Sequence, residues 1–402
     1  MAVQNETGDP PAKSRGGSVP SFVYDPVVRG YVFQFLLAAV LVWLAWDIAS
    51  NTAENLQRAN IASGFGFFDD RAGFEIAQSL ITYSSDSSYG DAFIVGLLNT
   101  LLIAVLGIIF ATIIGFLVGI ARLAPNWMLR KVATVYVEIF RNIPVLLQLL
   151  FWYKAVLSVL PQPRNGIEMP FGANLSNRGM IIPRFIPQDG FAIVVIGFAI
   201  AVVAAIVIAR WAHARQMATG QQFKTMRVVL ALIIGVPVLL YLVTGMPLEV
   251  EYPVLTGFNF RGGIALKPEF IALLLGLSIY TAAFIAEIVR AGIKAVSWGQ
   301  SEAAYALGIR PSLTTRLVVI PQAMRVIIPP LTSQFLNLTK NSSLAVAIGY
   351  PDLVSVFSGT VLNQTGQAVE VIIITMAVYL TLSLSTAAFM NWFNSRMRLV
   401  ER

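Results

Sequence analysis

The chain has 402 residues, of which 56% are hydrophobic and 12% charged, and its mean hydropathy is +0.72. Soluble domains carry about twice that charge, so the composition points to an integral membrane protein and leaves no room for a large soluble catalytic domain. With no Cys and one His, disulfides, thiolate sites, Cys nucleophiles and paired-imidazole metal sites are excluded. The +7 balance is the surplus that orients membrane loops rather than one that binds nucleic acid.

Residues 1–30 are polar and rich in Gly, Pro and Ser, and read as a disordered cytoplasmic tail. Eight apolar runs follow, at about 31–48, 92–121, 132–160, 191–209, 228–244, 270–291, 326–348 and 370–393. Each meets the length of a bilayer crossing, about 20 residues, or nearly so. The expected fold is therefore an all-α polytopic transmembrane bundle of about eight spans. Trp43 and Trp46 mark an interfacial belt on the first run, read as a retained helix. Pro144 should kink the third run, and Pro329 with Pro330 places the start of the seventh in question. Gly107, Ala111, Gly115 and Gly119 form a four-residue small stripe that lets another helix approach, in this chain or in a partner.

Lys and Arg concentrate in loops 122–131, 210–227 and 292–325 and in the tail 396–402. The acids Glu54, Asp69, Asp70, Glu75, Asp86, Asp91, Glu168, Asp189, Glu249 and Glu251 lie in the opposite loops. The positive-inside rule then puts both termini in the cytoplasm. The segment 51–91, with Phe65, Phe67, Phe68 and Phe74, reads as an outer cap. His213 reads as a solvated residue of a basic loop.

The inner loop 292–325 carries the most information. Ser301 to Leu307 is a good helix former with Ser301 as a cap candidate and Glu302 in the first turn. Gly308 suits a helix end, and Pro311 opens a second short element. Ala304, Leu307 and Leu313 offer apolar groups to a groove on another protein. Within this loop Glu302-Ala303-Ala304, three residues, Gly308, nine residues, Val318, Val319, Ile320 and Pro321 resemble the EAA motif of ABC-importer permeases. Gly299-Gln300, Pro321-Gln322-Ala323, residues 286–293 and Lys340-Asn341-Ser342-Ser343-Leu344 resemble the polar amino-acid uptake family. Residues 96–101 and 136–144 resemble the opening of the same domain. Departures are Val318 and Ile320 for Ile and Leu, Ser342 where Thr is commoner, and Asn142-Ile143 where Gly-Thr is usual.

The resemblance covers about 92–160 and 265–395. An extra first span with its outer segment (31–91) precedes it, and an insertion with two extra spans (161–264) interrupts it. This layout is similar to the larger permease subunit of general L-amino-acid and glutamate/glutamine/aspartate/asparagine importers. The resemblance implies a type I ABC-importer permease in a bacterial inner membrane that works by alternating access. It implies three kinds of partner: a cytoplasmic ATPase dimer, a second, related permease chain and a periplasmic binding protein that delivers the amino acid. No GxxxxGK[ST] is present, so the chain is expected to be a transport subunit rather than an enzyme, with no cofactor of its own and ATP held by a separate chain. Glu302 is expected to anchor the ATPase, Gly308 to hinge the coupling element, and Ala303 and Ala304 to dock, with Gly299 and Pro321 as flanking motif positions.

Charges at membrane depth are functional candidates. Glu138 with Arg141, and Glu287 with Arg290, sit three apart and are expected to pair. Arg141 and Asn142 also border the Pro144 kink. Lys340, with Asn337, Asn341, Ser342 and Ser343, is a candidate lining of the substrate path; Tyr280, Gln148, Gln334 and Asn99 are further candidates. Two other classes compete: a gradient-driven secondary transporter, which would need repeated halves with broken helices, and a membrane enzyme.

Overall fold

The computed structural model describes residues 26–58 and 63–396. Most of the expected tail 1–30 and nearly all of 396–402 therefore lie outside the described residues. Residues 26–30, expected in the tail, form the first turn of α1 (Pro26–Arg58). A bilayer-facing helix needs no polar start, because its backbone bonds close internally.

α2 (Tyr89–Ala121) opens on a capping box. Ser88 Oγ accepts from the Asp91 amide at 3.1 Å, and Asp91 returns the bond to the Ser88 amide at 3.0 Å. α3 (Trp127–Asn142) and α4 (Val145–Leu150) form the third run, with a π-helical turn Phe151–Leu157 completing it. The run bends by 107° at Ile143-Pro144. Pro144 has no N–H to give Phe140. Gln148, buried and expected as a path residue, supplies the missing donor: its Nε2 bonds the carbonyls of Phe140 and Ile143, each at 2.9 Å.

The insertion differs most from expectation. Four short strands precede its helices: β1 (Ile167–Met169), β2 (Ala173–Ser176), β3 (Gly179–Ile182) and β4 (Arg184–Pro187). α5 (Phe191–Thr219) follows, then α6 (Thr225–Leu230), which continues through a π-helical turn into α7 (Val236–Val243). Four more strands come next: β5 (Leu248–Glu251), β6 (Val254–Thr256), β7 (Asn259–Arg261) and β8 (Ile264–Leu266). All pairing is antiparallel, in a β1-β2-β3-β8 sheet and in the pairs β4-β5 and β6-β7. Strands on either side of the inserted helices thus zip together.

α8 (Pro268–Lys294) leads into α9 (Trp298–Ala306) and α10 (Pro311–Thr314). A π-helical turn Thr315–Val319 joins α10 to α11 (Ile320–Asn341). α11 runs through Pro329 and Pro330, so the prolines do not mark its start; both lie on its exposed side. After a 3-10 segment Ser342–Ile348 and a π-helical segment Val354–Val361 come α12 (Leu362–Thr365) and α13 (Ala368–Arg396).

Among the described residues six helices are long and apolar enough to cross a bilayer, or seven if the bent α3–α4 pair is one span. The seventh expected run, 326–348, is divided between α11 and the 3-10 segment, and α11 is amphipathic, with Arg325 and Lys340 along it. The molecule remains a polytopic helical bundle.

α2 and α8 form its centre. The small stripe is buried and faces this same chain: a Cβ on Gly115 would lie 2.6 Å from Ile285, and one on Gly119 2.8 Å from the Ala286 carbonyl oxygen. Only bare backbone permits that approach. Gly107 meets Leu338 of α11 instead. Ile285, Val289, Ile327, Ile328 and Leu338 close one part of the core, and Leu273, Leu277, Leu149 and Tyr350 another.

Candidate functional site

The loop 292–325 stands at the C-terminal end of α8 as helix, turn, helix. α9 starts at Trp298 with Ser297 in the cap position, so Ser301 is an interior residue and is buried. Helical spacing separates the motif into two faces. Ala304, 4% exposed, packs inward, and its small side chain lets α9 lie close to the π-helical turn after α10. Glu302 and Ala303 are exposed. Gly308 turns the chain at φ +74°, a conformation that favours glycine. Beyond α9 Leu307 is 80% exposed, and Leu313 is open too. Gln322 Nε2 reaches Gln300 Oε1 at 3.3 Å, tying α9 to α11 just past Pro321. Gly299 is exposed, with only Ser297 Oγ near its Cβ position.

Behind this loop lies an ion cluster that local spacing only half discloses. Glu287 pairs with Arg290 as expected, and also with Arg122 from the end of α2. Arg141 Nη1 stands 4.0 Å from Glu287 Oε2. Arg141 therefore turns to Glu287 and not to Glu138, three residues back, because the two share no ion pair among the described residues and Glu138 is exposed. The Arg141 guanidinium also lies 5.2 Å from the Phe284 ring, on which Tyr280 packs at 5.0 Å. One carboxylate thus gathers three guanidiniums from α2, α3 and α8. Asn142 bonds its own helix through the Glu138 carbonyl at 2.7 Å.

Lys340 and Ser343 occupy a different place. They line a cavity of about 400 Å³ with Tyr379, Met376 and Ser383 of α13. Asn337 is exposed and Asn341 half-buried. Ser342 is fully buried and bonds the Thr339 carbonyl at 2.7 Å, which turns it away from solvent. The structure does not gather the expected path residues into one pocket: Arg141, Asn142 and Tyr280 sit by the α3 break, Lys340 and Ser343 by α13. It adds two that local reading misses. Tyr379 lines the Lys340 cavity, and its hydroxyl approaches Asp352 Oδ2 at 3.4 Å. Asp352 is fully buried and accepts from the Ser355 amide at 2.9 Å. Neither lies within a helical turn of Lys340 in sequence, so no periodicity flags them.

Asn99 is also fully buried. Its Nδ2 bonds the Gln78 and Pro351 carbonyls at 2.8 and 2.9 Å, stitching the outer cap to the core. In that cap burial, with help from Glu75 and Asp91, pushes the Tyr83 phenol up to about 12.

Residues 111–399 match the family model described as "binding-protein-dependent transport system inner membrane component". The chain belongs to this family, which makes it a multi-pass inner-membrane protein. Curated relatives align along nearly its whole length, insertion included. The general L-amino acid transport system permease protein AapQ of Rhizobium johnstonii is 59% identical, covering 98% of each chain. The putative amino-acid ABC transporter permease protein YhdX of Escherichia coli is 53% identical over 94% of this chain and 96% of its own. The glutamate/glutamine/aspartate/asparagine transport system permease protein BztB of Rhodobacter capsulatus is 41% identical over 98% and 99%. The gradient-driven alternative and the membrane enzyme are set aside by this membership.

Proposed function

We propose that the chain is a permease subunit of an ATP-binding-cassette importer for polar L-amino acids. The single observation that carries the mechanism is the split of the EAA segment. Ala304 fixes α9 to the protein, while Glu302, Ala303 and Leu307 are left open beyond a glycine turn. A carboxylate beside small and apolar groups suits a groove on a cytoplasmic ATPase dimer. Closing of that dimer would push α9 against α11 through the Gln300–Gln322 contact and against the foot of α8, where Glu287 collects α2, α3 and α8.

In this reading both termini face the cytoplasm, and ATP is hydrolysed by the partner. A second, related permease completes the pathway, and a periplasmic binding protein delivers the amino acid. Lys340, with Tyr379 and Ser343, lines the path and meets the substrate carboxylate.

Glu302→Lys tests the proposal. The variant should insert and assemble, while substrate-stimulated ATP hydrolysis by the reconstituted complex is lost. Stimulated hydrolysis at the unmodified rate would remove Glu302 from the coupling role.

A further inference from the structure

At the other end of α8, away from the coupling loop, lies a second polar cavity, of about 500 Å³. Six separate pieces of chain line it, among them the cap around Gln78, the β2–β3 turn and the start of α8. Gly179 makes the assembly possible. It sits at φ +102°, and a Cβ there would lie 2.0 Å from the Leu266 carbonyl oxygen. Only glycine lets β3 lie against β8 at that point, in the Met180↔Leu266 register. The pairing brings Arg178, one residue before β3, and Lys267, one residue after β8, to the same cavity. The Asn99 bonds to the Gln78 and Pro351 carbonyls hold the cap to the floor.

The lining has the chemistry of an amino-acid site. Arg178 and Lys267 supply positive charge and Glu269 negative, and none of the three forms an ion pair among the described residues. Tyr153 donates to Glu269 Oε1 at 2.8 Å, orienting that carboxylate. Gln78 Oε1 and Asn177 Oδ1 are buried and accept no hydrogen bond from the described residues. A buried acceptor left without a donor costs roughly 1–3 kcal/mol, and both side chains border this cavity. An ammonium group brings three N–H donors, matching Glu269, Gln78 and Asn177. The volume is within the usual range of small-ligand sites, about 300–1,000 Å³.

We infer that this cavity is an outer station for a free α-amino acid. Arg178 and Lys267 receive the α-carboxylate; Glu269, Gln78 and Asn177 receive the α-ammonium. The net positive lining favours acidic and neutral side chains over basic ones. The inference rests on the amino-acid importer reading but concerns a site separate from the Lys340 cavity. The strands of the insertion, absent from any helical view of the chain, are what build it.

The test uses the assembled complex in nanodiscs without its binding protein, titrated with radiolabelled L-glutamate. Saturable binding is expected, weakened at least about tenfold when either the α-carboxylate is esterified or the α-amine acetylated. Arg178→Gln together with Lys267→Gln should erase discrimination against the ester, and Glu269→Gln should reduce discrimination against the N-acetyl compound. Because the chain has no Cys, Asn259→Cys, on the cavity wall, gives a single maleimide target whose labelling L-glutamate should slow. Labelling unaffected by L-glutamate, or binding whose preference for free α-groups survives these substitutions, overturns the inference. ATP-driven uptake by the unmodified complex with its binding protein is measured in parallel. Uptake without outer binding rejects the station alone; no amino-acid uptake rejects the importer reading as well.

Discussion

The α2–α8 pair and the inserted α5–α7 pair use the same material and end in different states. Both are apolar helices meeting along small residues: Gly115 and Gly119 on α2, Gly197, Ala201 and Ala205 on α5. In the core pair the stripe meets backbone, at the Ala286 carbonyl. In the inserted pair a Cβ on Gly197 would clash only with Leu240 Cδ1, at 2.0 Å, the end of a flexible side chain. Over half of the apolar window of α8 is buried, 56%, and none of the window 225–243. A small-residue stripe therefore makes a rigid core only when its partner helix is itself enclosed. The inserted pair is fixed instead by the strands at its ends, where backbone bonds replace side-chain packing.

The largest effect should come from Glu287→Gln, which leaves three guanidiniums at the foot of the core without their carboxylate. A loss of up to about 3 kcal/mol is expected, since removing one partner of a partly buried ion cluster strands the others. The thermal unfolding midpoint of the detergent-solubilised complex reads it. An unchanged midpoint would mean that the arginines find other partners and that the core does not depend on this knot. Gly119→Ala should cost about 2 kcal/mol by overpacking against backbone that cannot yield, seen as a lower midpoint and less assembled complex on size exclusion. The smallest change should be Gly197→Ala, below about 1 kcal/mol, because Leu240 can rotate away. Equal losses at Gly119 and Gly197 would erase the distinction between the two pairs.

The motif segment was readable because its signal is local: the EAA spacing from Glu302 to Pro321 sits within one loop. Ala304, expected to dock beside Ala303, instead packs inward against its own chain, because it lies on the opposite helical face from Glu302 and Ala303. The Glu287–Arg290 pair is three residues long and was equally plain. Arg122 and Arg141 were not, because they reach Glu287 from helices distant in sequence. Gln148 looked like a path residue, but its amide completes the backbone that Pro144 breaks. The strands of the insertion escaped for a different reason. They are three or four residues long, too short for a period-2 pattern to emerge, and β3 pairs with β8 across two intervening helices.

Composition and one loop motif were enough by themselves to mark a membrane transport component, because hydropathy and helical spacing act over neighbouring residues. Tertiary structure alone decided which helix receives the glycine stripe, which arginines share Glu287, and that Arg178, Lys267 and Glu269 line one cavity. Those outcomes depend on backbone approach and strand register between segments that no local pattern connects.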